Sequence, residues 1–267
     1  TAELADTGVA VWWQGTARRH RRWRLRSGPT GQHPFWKWPW QPAADRMRDL
    51  LADASEEDYR AAVEALAAHR RTDVQRVLVS YLAPTETAWM DECCSGAASY
   101  YDLALRTMLF CSVGSAEQLT ALTAHSQFGY GQWSRRVLAT LIETAGVDAV
   151  VALMAAHFGA AYADDRKVGA EVLSRLPTDE AFGVLLEHRG EKHVVPALRD
   201  AMKRYPVRAV RLLAQASAGS SKEAAVARDL LAGHVQDHPD AVTAALPGLP
   251  AEARTTVERI AAETADR

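Results

Sequence analysis

Cysteine is scarce in this sequence, and long apolar runs are absent. Two of the three cysteines are adjacent, Cys93 and Cys94, which excludes a disulfide framework and favours free thiols in a reducing compartment. No stretch of about 18 apolar residues and no signal-peptide pattern occurs, so we expect a cytoplasmic protein without a membrane span. The chain begins with Thr1 rather than Met, and we expect it to be a fragment of a longer protein.

The short motifs of common enzyme classes are also lacking. There is no Gly-x-Ser-x-Gly elbow, no His-Glu-x-x-His and no Gly-x-Gly-x-x-Gly. Residues 218–222 lack the first glycine of a phosphate loop, and we expect their serine to cap a helix instead. The sequence therefore predicts a protein that is not an enzyme and needs no cofactor.

The charge of the chain is small overall and unevenly distributed. The hydrophobic fraction of 48% is that of a globular protein, and 31 Lys and Arg against 33 Asp and Glu give a net charge of −2. Residues 1–42 hold six of the eight tryptophans and seven Lys or Arg against two acids, a net +5. The remaining residues therefore carry a net −7.

The Trp/Arg-rich segment 1–42 is predicted to cap the rest of the fold. Residues 22–26 alternate with a period of two, which favours a β-hairpin. Its indoles would cover an open end of the helical part, but interleaved guanidinium and indole groups also suit protein docking or nucleic-acid binding. We do not expect membrane binding. The candidate binding residues in this segment are Arg22, Trp23, Arg24, Trp36 and Trp38.

Helical periodicity dominates from residue 43 onward. Earlier helices are predicted at 44–54, 56–70, 73–83 and 99–112 with irregular spacing, which makes 43–114 a divergent helical region. From 115 to 267 the pattern repeats every 29 to 33 residues, the spacing of helical hairpins. The first helices of five hairpins are predicted to start at Ser115, Val147, Thr178, Val207 and Asp240. Each helix has a narrow apolar stripe, which stacking against neighbouring hairpins would bury.

These pairs of short Ala- and Leu-rich helices resemble HEAT-like repeats. The resemblance implies an all-α, right-handed α-solenoid. The tail from His238 to Thr264, with HPDAV and LPAEAR within it, also resembles large actinobacterial proteins described only as molybdate-metabolism-regulator-like, which carry a domain of unknown function. That resemblance implies a multidomain parent with helical repeats, and it transfers no catalytic residue.

Cationic residues recur near the start of the second helix in successive hairpins. Stacked repeats would align them along one face, which could follow an acidic partner or a phosphate backbone. Neighbouring acids also allow a simpler interpretation, in which these residues form local ion pairs on a solvated face. We call this set the basic ridge: Arg135, Arg136, Arg166, Lys167, Lys192, Lys222 and Arg254.

Two further constellations have structural explanations that we prefer. His234 and His238 are spaced to share one helix face as metal ligands, but Pro239 follows directly and a third ligand is missing. We therefore predict no metal and a helix that ends at this point. Asp164 and Asp165 could act as paired carboxylates, but at a helix start they complement the helix dipole.

The predicted function is that of a non-enzymatic protein-interaction scaffold within a larger cytoplasmic protein. Its partner would be an unidentified protein or another domain of the parent chain. The alternative is a nucleic-acid-binding solenoid that uses the basic ridge and the Arg/Trp segment, with an affinity that falls steeply as salt rises.

Overall fold

The computed structural model describes residues 41–96 and 103–265. All regular secondary structure within these ranges is helical, and they contain no strand. The fold class is therefore all-α, as predicted. The segment 1–40, with its predicted β-hairpin and cap, lies outside the described residues. The described residues up to 169, called the 11–169 unit below, and those from 170 to 265 form two compact units.

The described part of the 11–169 unit consists of helices of 8 to 13 residues and their connections. They are α1 (Gln41–Asp53), α2 (Glu56–Ala67), α3 (Asp73–Leu82), α4 (Thr87–Ser95), α5 (Leu103–Phe110), α6 (Ala116–His125), α7 (Arg135–Ala145), α8 (Val147–His157) and α9 (Ala163–Leu173), the last of which crosses the unit boundary. Among them, α3 packs against α1, α4 and α5, and α6 packs against α4 and α7.

The described part of the other unit, residues 170–265, contains six further helices and one short 3₁₀ segment. They are α10 (Asp179–Glu187), α11 (Val194–Arg204), α12 (Pro206–Ala216), α13 (Lys222–Asp237), α14 (Pro239–Ala245), the 3₁₀ segment Leu246–Gly248 and α15 (Ala251–Ala265). None of the described helices in either unit combines the length and the apolar composition needed to cross a membrane.

The predicted hairpin starts agree with the observed helices to within one residue. Side-chain caps explain part of this agreement, because each cap accepts a hydrogen bond from a backbone N–H that the helix leaves unpaired. Ser115 accepts from the Gln118 N–H at 3.2 Å, and Thr178 accepts from the Ala181 N–H at 3.1 Å. Ser221 caps α13 in the same way, as predicted for residues 218–222.

Helix α4 was not predicted, because its apolar stripe is weak. Its buried face consists of Met90, Cys93 and Cys94, and both cysteines are free and buried, as expected. Tertiary contacts hold the helix in place. Glu92 forms ion pairs with Arg70 and Arg76 from the preceding segment, and the α4 helix packs against α3 and α6. The local sequence therefore carries little of the signal for this helix.

Aromatic rings fill the core between the later helices of the 11–169 unit. The Phe128 ring lies edge-on to Phe110 and Trp133, with ring centroids 5.3 and 5.1 Å apart, and Trp133 continues to Phe158 at 6.0 Å. All four side chains are buried. The loop between α6 and α7 thus contributes to the core through Phe128 and Trp133.

Three pairs of helices of corresponding position pack against one another in residues 170–265. The first helices of successive predicted hairpins are in contact, α10 with α12 and α12 with α14, and the second helices α13 and α15 are also in contact. Within the hairpins, α10 packs against α11 and α12 against α13. In α13, Val226 is exposed, and Ala224, Ala227 and Leu231 lie on the buried face.

Candidate functional site

All seven members of the basic ridge lie at or near helix starts in the structure. Arg135 and Arg136 open α7, and Lys222 opens α13. Arg166 and Lys167 lie in the first half of α9, Arg254 is the fourth residue of α15, and Lys192 lies in the turn before α11. The ridge is divided between the two compact units, so its continuity as one surface stays a prediction.

Arg136 takes part in an ion network rather than projecting freely into solvent. Its Nη1 donates to Asp45 Oδ2 at 2.8 Å, and its Nη2 donates to the Tyr81 hydroxyl at 3.1 Å. The Tyr81 hydroxyl in turn donates to Asp45 Oδ1 at 2.6 Å. Burial by itself would lower the pKa of Arg136, but the hydrogen bond to Asp45 and the neighbouring Tyr81 outweigh it and raise the pKa. This arginine links α1, α3 and α7.

Arg48 extends the same network into the core. Its side chain is 1% exposed, and its guanidinium donates to the carbonyl oxygens of Tyr81 at 2.8 Å and Cys111 at 2.9 Å. The same guanidinium lies 4.6 Å from the centre of the Tyr81 ring. Burial lowers the pKa of Arg48 and raises the pKa of Tyr81. We call Asp45, Arg48, Tyr81 and Arg136 the Arg48 network, and its geometry is that of a structural support.

Five further ridge residues fall into two groups. Arg166 donates to the Gly159 carbonyl at 3.1 Å, and Arg254 lies 3.4 Å from the Leu249 carbonyl oxygen, so both side chains have local contacts. Lys167, Lys192 and Lys222 are exposed. These three lysines are the ridge members that a partner could reach most readily.

The Arg/Trp candidates of the N-terminal segment cannot be placed in the same way. These candidates lie outside the described residues: Arg22, Trp23, Arg24, Trp36 and Trp38. Their predicted roles as a cap or as a binding surface stay predictions.

The two histidines considered as metal ligands are close together, but their contacts are structural. The rings of His234 and His238 have centroids 4.5 Å apart, and α13 ends at Asp237 between them, as predicted. Nε2 of His234 lies 3.0 Å from the Pro206 carbonyl oxygen, and because a carbonyl can only accept, this nitrogen carries the proton. Across residues 41–96 and 103–265, no three His, Cys, Asp or Glu side chains form a group that could hold a metal.

Asp164 and Asp165 lie in the first turn of α9, where their charge complements the helix dipole. Asp164 is exposed and Asp165 is buried. This position agrees with the structural interpretation of the pair.

A second group of cations lies around α11 and α12, outside the predicted ridge. Arg208 Nε donates to Asp179 Oδ1 at 2.8 Å, and Arg211 Nη2 donates to the same oxygen at 2.5 Å. Hydrogen bonds from Arg211 and Arg208 lower the pKa of Asp179, against the opposing effect of burial. Sequence reasoning missed these residues because it counted cations only near the starts of second helices. The low acid content of residues 192–216 was the available signal.

A groove of about 490 Å³ lies between α4 and α6. The buried Gln118 organises its wall: its Nε2 donates to Asp91 Oδ1 at 2.7 Å, and its Oε1 accepts from the Gly114 N–H at 2.8 Å. Glu117 and His125 also line the groove. Gln118 therefore has a structural function, and it joins the two helices through hydrogen bonds.

The described structure defines the class of the protein as an all-α protein with stacked helical hairpins in residues 170–265. Residues 1–130, just under half of the chain, match the model of the family described as YehI second domain. No curated protein and no solved structure matches the chain. The family description does not mention molybdate metabolism, so the resemblance to molybdate-metabolism-regulator-like proteins stays a prediction.

Proposed function

We propose that this chain is a non-enzymatic protein-interaction module built from HEAT-like helical hairpins. The observation that carries the proposal is the stacking of α10 on α12 and of α12 on α14, with α13 on α15. Contact between helices of corresponding position is the packing expected of repeats that each contact their neighbours. Such an arrangement presents rows of exposed side chains, which suits docking of another protein.

The proposal extends to three further features of the predicted architecture. The Trp/Arg-rich segment 1–42 would cap the helical part, and the repeats would form a right-handed solenoid. The chain would serve as one module of a larger cytoplasmic protein related to the molybdate-metabolism-regulator-like proteins. The idea that the chain is one module of a larger protein is supported by the match of residues 1–130 to a family that is itself described as one domain of a protein.

The docking surface would include three exposed lysines of the basic ridge, Lys167, Lys192 and Lys222. Their ammonium groups would meet acidic residues of the partner, and complementary charge of this kind increases the rate of association and the specificity. Arg136 is excluded from direct contact in this proposal because it is engaged by Asp45 and Tyr81.

The test is affinity capture with the full chain after nuclease treatment, followed by mass spectrometry. We compare the wild type with Lys167→Glu, Lys192→Glu and Lys222→Glu combined. A matched control reverses three cations outside the ridge, with Arg60→Glu, Arg71→Glu and Arg259→Glu. We expect a defined protein to be retained by the wild type and the control and to be lost from the ridge variant. Equal retention by all three proteins would contradict the role of the ridge, and no retained protein would contradict the scaffold function.

A further inference from the structure

The turn before α11 and the helix itself carry an exposed group of cations. From residue 192 to residue 204 there are four Lys or Arg and one acid, Asp200. All four cations are exposed, and none forms a hydrogen bond or an ion pair through its side chain with the described residues. We call them the α11 patch: Lys192, Arg199, Lys203 and Arg204.

The patch contrasts with the arginines of the following helix. Arg208 and Arg211 share the carboxylate of Asp179, so their charge is partly neutralised within the fold. Arg199 and Lys203 are one turn apart and lie away from the buried residues Leu198 and Met202. Four residues of an α-helix rise by about 6 Å, and successive phosphates of one strand of duplex DNA advance by about 3.4 Å along the duplex axis. The guanidinium of Arg199 and the ammonium of Lys203 can therefore both reach phosphates of the same strand.

The surroundings of the patch favour a phosphate backbone over an acidic protein. In the described residues 170–265, Val207 and Val226 are the exposed large hydrophobic side chains, and neither is aromatic. Protein interfaces draw most of their affinity from buried anchors such as Trp, Tyr and Arg packed in a desolvated centre. Contacts to a phosphate backbone require exposed cations and no apolar anchor.

The burial of the aromatic side chains in residues 170–265 favours a duplex over a single strand. Proteins that bind single-stranded nucleic acid stack the bases on aromatic side chains. Residues 170–265 contain two aromatic residues, Phe182 and Tyr205, and both are buried. Stacking platforms are therefore missing from this part of the structure, whereas cations that can contact the outer phosphates are present.

We propose that the α11 patch binds the phosphate backbone of duplex nucleic acid without reading its sequence. Lys192 belongs to both the basic ridge and the α11 patch, whereas Arg199, Lys203 and Arg204 belong to the patch alone. The function differs from the predicted role of the Arg/Trp segment because it uses residues 192–204. Its experiment can fail without affecting the scaffold proposal, since it changes Arg199 and Lys203, which the scaffold test leaves unchanged, and it measures a different ligand.

The test is fluorescence anisotropy of a labelled 20-base-pair DNA duplex with the full chain across a salt series. The variant Arg199→Ala with Lys203→Ala is compared with the control Arg60→Ala with Arg71→Ala, which removes the same charge from exposed positions outside the α11 patch and the basic ridge. We expect the patch variant to reduce the slope of log K against log salt by about 2, since each phosphate contact contributes about 0.9. At about 50 mM salt this corresponds to at least roughly tenfold weaker binding. The control keeps the slope of the wild type.

A charge-preserving variant separates phosphate binding from other effects. Arg199→Lys with Lys203→Arg should retain the slope of the wild type, because the number of charges is unchanged. Circular dichroism melting of each protein verifies that the exposed substitutions leave the fold intact. No binding by the wild type at low salt, equal slopes for the patch variant and the control, or tighter binding to a single strand of the same length would each overturn the proposal.

Discussion

Arg136 and Asp45 lie 91 residues apart in the chain, and their side chains form an ion pair with an Nη1–Oδ2 distance of 2.8 Å. The pair joins α7 to α1, and the Tyr81 hydroxyl from α3 bonds to both side chains. Three helices that are distant in sequence are thereby held in one geometry. Because both partners are about one-quarter exposed, the pair is screened less than a surface ion pair.

Replacement of Asp45 by asparagine should destabilise the chain. The Asp45→Asn change removes the only carboxylate of the Arg48 network and leaves the partly buried Arg136 guanidinium without its counter-ion. We expect the free energy of unfolding to fall by about 1–3 kcal/mol. Urea denaturation followed by circular dichroism measures this change. Glu64→Gln, at an exposed position of α2, is the control, and equal stability of the two variants would contradict a role for the network.

The three cysteine thiols should react slowly in the folded chain. Burial raises the pKa of Cys93 and Cys111, and burial together with the neighbouring Cys93 raises the pKa of Cys94 to about 12. Since the thiolate is the reactive species, we expect a thiol reagent such as DTNB at pH 8 to modify the native chain slowly. In urea all three thiols should react, so that three equivalents of the reaction product are released per chain. One rapid equivalent from the native protein would reveal an accessible thiol and contradict this expectation.

The helices from residue 115 onward could be predicted from sequence because their signals are local. Ser115, Thr178 and Ser221 cap helices through backbone atoms three residues away, and Pro206 and Pro239 stand at first-turn positions. Apolar residues at helical spacing mark the buried faces in between. Helix α4 lacks a side-chain cap, and its ion pairs through Glu92 are contributed by residues more than 15 positions away. Information of this kind is not visible in a local window.

The candidate site could be predicted less well than the helices. Sequence spacing singled out the ridge cations by their distance from predicted helix starts, but it could not show that Arg136 bonds to Asp45, which is contributed by a distant helix. It also could not separate the exposed Lys203 from the neutralised Arg208, which lies only five residues further along. Long-range pairing decides which cations are available, and a single sequence does not contain that information directly.

Acid should destabilise the chain through His234. Burial lowers the pKa of this imidazole below its ordinary value of 6.5, and the bond to the Pro206 carbonyl only partly opposes the shift. The unfolded chain therefore binds a proton more readily than the folded chain. The stability contributed by the neutral ring is complete above pH 6.5 and is lost as the pH falls below that value.

The measurement is the urea midpoint of unfolding at pH 7.5 and pH 5.5. We expect the wild type to lose more stability between these values than His234→Gln, in which the titrating ring is absent. His69→Gln removes an exposed histidine and should retain the loss seen in the wild type. An identical loss in the wild type and His234→Gln would show that other groups cause the acid sensitivity.

A methyl group at Gly169 should test the packing of the aromatic core. A Cβ at this position would lie 2.7 Å from Trp133 Cζ3 and 3.1 Å from Phe158 Cε2, closer than carbon atoms normally approach. Both rings are buried, so they cannot move aside without disturbing their neighbours. We expect Gly169→Ala to lower the free energy of unfolding by about 1–3 kcal/mol, measured by urea denaturation.

Gly233 provides the matched control for this substitution. It also lies inside a helix, α13, but no atom lies within 4 Å of a Cβ built there. Since alanine favours a helix interior over glycine, Gly233→Ala should raise the free energy of unfolding by about 0.5–1 kcal/mol. The opposite signs of the two substitutions separate packing from helix propensity. Stabilisation by both changes would show that Trp133 and Phe158 can move to accommodate the methyl group.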